Sequence, residues 1–198
     1  LYKYLRIYLE LLYGYFFYET NLMGTNNIEK LIITAQDLVD DSFKLGMKVI
    51  ESGYQPTTII TLWRGGATVG IVIHELMSYK KIITNHTVLK ASSYKNTKQL
   101  AGVKIFGLDS TLESLDEKEK ILIVDDIFDT GNTIDAVINA INETHRNVIE
   151  DIKIAMPWYK PSNNKTHISP DYHLHETNKW VVFPHELESL NEEEIIKY

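Results

Sequence analysis

Asp125, Asp126 and Asp129 fall within five residues, directly after the apolar run Lys120–Val124 and directly before Thr130-Gly131-Asn132-Thr133. Carboxylates this close suit two kinds of partner, vicinal hydroxyls and a hydrated Mg²⁺. The turn that follows suits an anion. Gly131 permits a backbone conformation other residues resist, and N–H groups at a turn and a helix start can cradle a phosphate. Thr130 and Thr133 add hydroxyl donors. The ligand these residue types imply is a sugar phosphate, with hydroxyls on the acids and phosphate in the turn.

The chemistry needs a scaffold that ends a strand at Val124 and starts a helix at Asn132. KILIV (120–124) is a strand with no polar face, and NTIDAVINAINETH (132–145) has helical spacing. Upstream, 34–53 reads as a helix ending at Gly53, 57–63 as a strand broken by Arg64-Gly65-Gly66, and 67–80 as a helix. HTVLKASSY (86–94) and VKIFGLD (103–109) read as strands around the polar stretch KNTKQLAG, and DIKIAMPWYK (151–160) as a further strand. The acidic tail ESLNEEEIIKY reads as a solvated helix. Alternating strands and helices with continuous apolar strands predict an α/β fold: a mainly parallel sheet with helices on both faces. Ligands of such sheets sit beyond the carboxyl ends of the strands, where KILIV delivers the acidic pair.

Composition narrows the function classes. The chain has 198 residues, enough for one domain with a substantial core. Its formal charge is 20 − 27 = −7, which argues against a nucleic-acid partner because phosphate-backbone binding favours a basic face. There is no cysteine, so disulfides, thiolate catalysis and cysteine-bound zinc are excluded. His173 and His175 alternate along an extended segment without the further ligands zinc needs. Residues 1–22 are dense in Tyr and Leu, but Lys3, Arg6, Glu10 and Glu19 break every run before the ~20 apolar residues of a membrane span. They read as an N-terminal extension outside a domain spanning 23–198; an amphipathic helix packing on the domain, a partner or a membrane surface is the alternative. Cytoplasm is the default compartment.

VDDIFDTGNT (124–133) resembles the phosphoribosyl-pyrophosphate (PRPP) binding motif of the type I phosphoribosyltransferases. A response-regulator receiver also ends a strand in an acidic pair, but near its domain start and without the DTGNT that follows here. Other segments fit the family in order. Arg64-Gly65-Gly66, by itself a plain turn, resembles the pyrophosphate-binding loop. Ser93-Tyr94, by itself the start of a polar hairpin, resembles the start of the small mobile hood. TNKWVVFPHE (177–186) resembles the base-binding segment of bacterial and archaeal xanthine, guanine and hypoxanthine enzymes. There Trp180, otherwise a core residue, matches the ring that stacks on the purine, and Val181 matches the position offering backbone contacts. Lys160, otherwise a solvated strand end, matches the donor to the purine 6-oxygen. Glu186, otherwise an exposed glutamate, falls at an acidic metal contact. PHE departs from the PWD or PWE of some relatives, with His185 where a tryptophan stands.

The resemblance covers roughly residues 28–190 and implies the type I phosphoribosyltransferase fold, a mainly parallel sheet flanked by helices with a small hood. It implies transfer of phosphoribose from PRPP to a 6-oxopurine, with release of pyrophosphate. Asp129 would be the catalytic base. Asp125, Asp126, Asp129, Thr130, Gly131, Asn132 and Thr133 would bind PRPP. Asp125, Asp126 and Glu186 would face Mg²⁺, and the assembly would be a homo-oligomer, dimer or tetramer. Two other functions fit the same motif: a PRPP-sensing regulator, and a phosphoribosyltransferase for another base. The first would show a basic surface stripe or RNA retention, and the second would turn over adenine or orotate.

Overall fold

The computed structural model describes residues 29–94, 102–113, 115, 118–145 and 149–195. The extension 1–22 and most of the hood stretch, 95–101, lie outside these.

Strand β1 (Lys30–Ile32) leads into helix α1 (Ala35–Glu51). The helix begins at a capping box: the Thr34 hydroxyl accepts from Asp37 N–H, and the Asp37 carboxylate accepts from Thr34 N–H, each at 3.1 Å. Such a cap stabilises a helix by ~1 kcal/mol. The chain leaves α1 through Gly53 at φ 82°, close to the stop the sequence predicts. Strand β2 (Thr58–Trp63), helix α2 (Gly66–Tyr79) and strand β3 (Asn85–Tyr94) follow, then strand β4 (Gly102–Phe106) and the short helix α3 (Leu108–Glu113). Strand β5 (Glu119–Val124), the two-residue strand β6 (Ile127–Phe128) and helix α4 (Asn132–His145) carry the acidic motif between them. Strand β7 (Ile149–Ala155) precedes three short strands, β8 (Trp158–Tyr159), β9 (His175–Glu176) and β10 (Trp180–Val182), and the chain ends in α5 (Glu192–Ile195).

Five strands form the central sheet in the order β4-β3-β2-β5-β7. β2, β3, β5 and β7 run parallel, and β4 is an antiparallel edge. The lack of a polar face on β5 has a direct cause: it is covered on both sides. Leu122 and Val124 pack with Leu38, Val49, Val69 and Ile73 of α1 and α2, whereas Ile121 and Ile123 pack with Ile134, Val137 and Ile141 of α4. All are essentially inaccessible to solvent, so truncating any of these leucines or isoleucines to alanine should cost about 2–5 kcal/mol.

Two sequence expectations are corrected. The run 151–160 is not one strand: β7 ends at Ala155, and β8 belongs to a separate three-stranded sheet, β6-β8-β9. Pro157 lies at the break and has no N–H to donate to a ladder. Likewise 103–109 is not strand to its end, because Gly107 at φ 83° turns the chain into α3. The acidic tail is helical for only four described residues, and its Glu194 pairs with Lys30 at 2.8 Å. β1 pairs in parallel with β10.

Candidate active site

The order β3-β2-β5-β7 places a reversal between β2 and β5. After β2 the chain steps to one side of that strand, and β5 returns on the other. Carboxyl ends at such a reversal splay apart and leave a crevice. Arg64-Gly65-Gly66 leaves the end of β2, and Asp125-Asp126 leaves the end of β5, so the two motifs face each other across it. The register sets Thr61 beside Val124, which brings the turn directly onto the acids. The Trp63–Arg64 peptide bond is cis.

The fit between these motifs explains both glycines. A Cβ on Gly65 would lie 2.5 Å from the Asp126 carboxylate, and one on Gly66 would lie 2.6 Å from the Val124 carbonyl oxygen. A cavity of about 460 Å³ opens over them, lined among others by Arg64, Lys90, Asp125, Asp126, Thr133 and Glu186. Lys90 did not emerge from the sequence. Only the β2–β3 register, which sets it beside Trp63, brings it to the crevice.

Electrostatically this is a concentration of negative charge. Burial, then the Asp126 charge beside it, pushes the Asp125 carboxyl well above the usual carboxylate range, against the pull of the Asp126 and Gly66 N–H groups. Asp126 is 5% exposed, and His185 Nε2 donates to its Oδ2 at 2.8 Å. Glu186 reaches solvent, yet desolvation and the Asp126 charge raise its pKa too, opposed by His185 and Arg64. Among the described residues no three His, Asp or Glu side chains converge as a ready-made metal site. Mg²⁺ does not need one. It keeps several waters and binds through one or two carboxylates plus substrate phosphates. The oxygen-only donors Asp125, Asp126 and Glu186, with raised pKa values at two of them, fit a cation delivered in that form.

Asp129 to Thr133 form the expected turn. Gly131 has φ 80°, Asn132 N–H donates to Thr130 Oγ1 at 3.4 Å, and α4 begins at Asn132. The turn encloses a recess of about 80 Å³ between Asp125 and Thr133. Its outer wall is the segment at Lys165 and Thr166, which carries no motif in the sequence. Lys165 N–H donates to the Thr130 carbonyl at 2.9 Å, and the Thr166 hydroxyl lies where a Gly131 side chain would go.

Lys160 is 8% exposed, so it is not a solvated strand end. Its Nζ lies 3.3 Å from Asp129 Oδ2 and 5.5 Å from the centre of the Trp180 ring. Asn163 also donates to Asp129, through Oδ1. Trp180 is 46% exposed, which excludes a plain core role. It lines, with Arg64, His185 and Glu186, a second cavity of about 530 Å³. The Val181 side chain is buried. Pairing with β1 uses the N–H of Trp180 and the carbonyl of Val182, so strand alternation turns the Val181 N–H and C=O to the opposite edge. Ser93 and Tyr94 end β3 opposite Val103 and Gly102 of β4. His173 and His175 take carboxylate partners, Glu176 at 3.2 Å and Asp41 at 2.8 Å.

Of the residues singled out in the sequence, the acidic pair, Asp129, the glycine turn, Arg64-Gly65-Gly66, Lys160, Trp180 and Glu186 thus surround one crevice. Lys90, Asn163 and Thr166 join them, as does His185, which the sequence marks only as a departure from the family pattern. Asn163 ends a one-turn 3-10 helix, and Thr166 and His185 lie in irregular segments, where hydrophobic period carries no signal.

The family model for the phosphoribosyl transferase domain matches residues 32–192. No curated protein sequence matches the chain. The purine phosphoribosyltransferase of Pyrococcus horikoshii Ot3 is similar at 29% identity and a TM-score of 0.63, covering 82% of this chain and 98% of that one. The xanthine-guanine-hypoxanthine phosphoribosyltransferase of Helicobacter pylori shares the fold at 24% identity and a TM-score of 0.64, over 81% and 96% of the two chains. A Staphylococcus aureus hypoxanthine phosphoribosyltransferase shares it at 21% identity and a TM-score of 0.56, over 77% and 79%.

Proposed function

The chain belongs to the phosphoribosyl transferase domain family, and from that premise we propose that it is a purine salvage enzyme moving phosphoribose from PRPP to hypoxanthine, guanine or xanthine. The observation that carries the reading is the grouping of Asp129, Lys160 and Trp180. A proton acceptor, a buried donor and a stacking ring meet beside a phosphate turn, with Lys160 Nζ 3.3 Å from Asp129 and 5.5 Å from the Trp180 ring centre. A 6-oxopurine carries the C6 oxygen, an acceptor, and the imidazole N7–H side by side on one edge of a flat ring. That is the complement of this wall.

In the proposed mechanism the turn amides of Gly131 to Thr133 hold the 5′-phosphate, and Asp125 and Asp126 hold the ribose hydroxyls. The bond from C1′ to pyrophosphate breaks ahead of bonding to the base, leaving an oxocarbenium-like centre as in glycoside chemistry. Arg64 and the amides of Gly65 and Gly66 take the charge of the departing pyrophosphate, with Lys90 placed to help. Mg²⁺, when bound through Asp125, Asp126 or Glu186, would supply further positive charge to that leaving group. Asp129 accepts the proton of the purine imidazole as the nitrogen attacks. The hood at Ser93 and Tyr94 excludes water, which would otherwise consume PRPP. The assembly is a homo-oligomer in the cytoplasm.

Initial rates with PRPP, Mg²⁺ and a panel of bases test the proposal, and absence of pyrophosphate release with every 6-oxopurine would overturn it. The unit responsible is residues 23–198. A chain starting at Met23 is expected to fold and turn over like the full chain, since every site residue lies downstream; insolubility or lost activity would assign residues 1–22 a packing role.

The phosphate turn makes a separate prediction. Gly131→Val puts a branched side chain at φ 80°, with its Cβ 2.5 Å from Thr166 Oγ1 and 2.8 Å from the Phe128 ring. Either the turn or its outer wall must move, and PRPP affinity is expected to collapse. Calorimetric titration of the folded variant with PRPP measures this. Unchanged affinity would remove the turn from the binding site.

A further inference from the structure

We infer that His185 is a positioning residue for the phosphoribosyl group, holding the Asp126 carboxylate in the one orientation that closes the PRPP site; the inference rests on the phosphoribosyltransferase reading above. Asp126 is a buried charge, 7% exposed at its side chain, and such a group must be hydrogen-bonded. A carboxylate only accepts, so the 2.8 Å contact requires the hydrogen on His185 Nε2. The imidazole is itself held. It lies 5.5 Å from the Phe183 ring at an interplanar angle of 6°, and Phe183 is 1% exposed in the main core. On its other side the Asp126 carboxylate fills the space above Gly65, within 2.5 Å of where a Cβ would be. The carboxylate is therefore clamped between the core-anchored ring and the pyrophosphate turn.

This clamp joins three segments distant in sequence: the turn after β2, the acids after β5 and the chain after β10. One ring nitrogen fixes the relation of the base wall to the ribose acids. Without it, Asp126 loses its charge-assisted partner while still buried, and relaxes by turning into the crevice or against Gly65. Either movement displaces ribose hydroxyls and the turn amides. The Lys160–Asp129 contact involves neither Asp126 nor His185, whereas His185 shares the lining of the Trp180 cavity. The larger defect should thus fall on PRPP and the smaller on the base.

Three variants of the full chain decide the matter: His185→Phe, His185→Gln and His185→Asn. The Gln amide nitrogen can occupy the place of Nε2, whereas the shorter Asn cannot reach it. Hydrogen bonds to charged groups contribute enough that Phe and Asn should raise the KM for PRPP, and its calorimetric Kd, about ten- to hundredfold. The KM for hypoxanthine should rise less than that for PRPP, because His185 borders the Trp180 cavity without contacting Lys160 or Asp129, and it should not follow the Gln–Asn contrast. Gln should recover most of the PRPP affinity. Equal losses for both substrates, or Gln no better than Asn, would overturn the inference. If Phe fails to fold, the Gln–Asn contrast still decides. Failure of the underlying reading looks different: the unmodified chain would then neither bind PRPP nor release pyrophosphate.

Discussion

Adenine is expected to react at least ~10⁴-fold more slowly than hypoxanthine at saturating PRPP, because a site built to hydrogen-bond one group rejects its mismatch on that scale. The discriminating group is Lys160. Its ammonium has three donors and no acceptor, so it complements the oxygen at purine C6 and opposes an amino group there. Burial gives the mismatch its force. At 8% exposure, Lys160 has little water to turn to when the ligand offers only another donor. Its partner in the described structure is Asp129, at 3.3 Å, and adenine would have to compete for that contact without replacing it. Trp180 stacks on any purine and contributes no selectivity, and the strand-edge carbonyl of Val181 could accept from a 2-amino group. Hypoxanthine, guanine and xanthine should therefore all react, to differing degrees. Rates with the four bases measure this directly. Adenine matching hypoxanthine would refute the role of Lys160, and a Lys160→Met variant that lost only adenine activity would show the pocket read in reverse.

Asp129→Asn is expected to lower turnover by about 10²–10⁴-fold, the usual worth of a positioned general base, while PRPP still binds. The change keeps the shape of the side chain and removes its basicity. It also alters the local hydrogen bonds, because Asp129 accepts from both Lys160 and Asn163. An amide oxygen can still accept one of these, but its NH₂ must turn away from the other. Some loss in base affinity should therefore accompany the loss in rate, whereas the phosphate turn, whose contacts run through backbone N–H groups, should hold PRPP as before. Calorimetry with PRPP and single-turnover rates with hypoxanthine separate the two effects. A variant within about threefold of the parent rate, below the range for a general base, would show that the proton goes elsewhere.

The parts of this site that are contiguous in the chain were legible in its sequence. The five residues from Asp125 to Asp129 and the turn to Thr133 follow a buried strand and open a helix, so order and spacing alone implied carboxylates beside a phosphate cradle. The covered strand β5 was legible for the same reason: burial on both faces leaves a local mark. The break at Pro157 is written in the sequence as well, since proline cannot donate to a strand ladder. What only the tertiary structure decided is which distant residues meet. Lys160 and Trp180 were matched by resemblance, but their closeness to Asp129 depends on how β8 and β10 dock. Lys90 enters through strand register, and the crevice itself through the reversal of strand order between β2 and β5. His185 shows the limit most clearly. As a residue after a proline it carries no periodic signal, and its bond to Asp126, 59 residues away, exists because Phe183 anchors its ring in a core assembled from the whole chain.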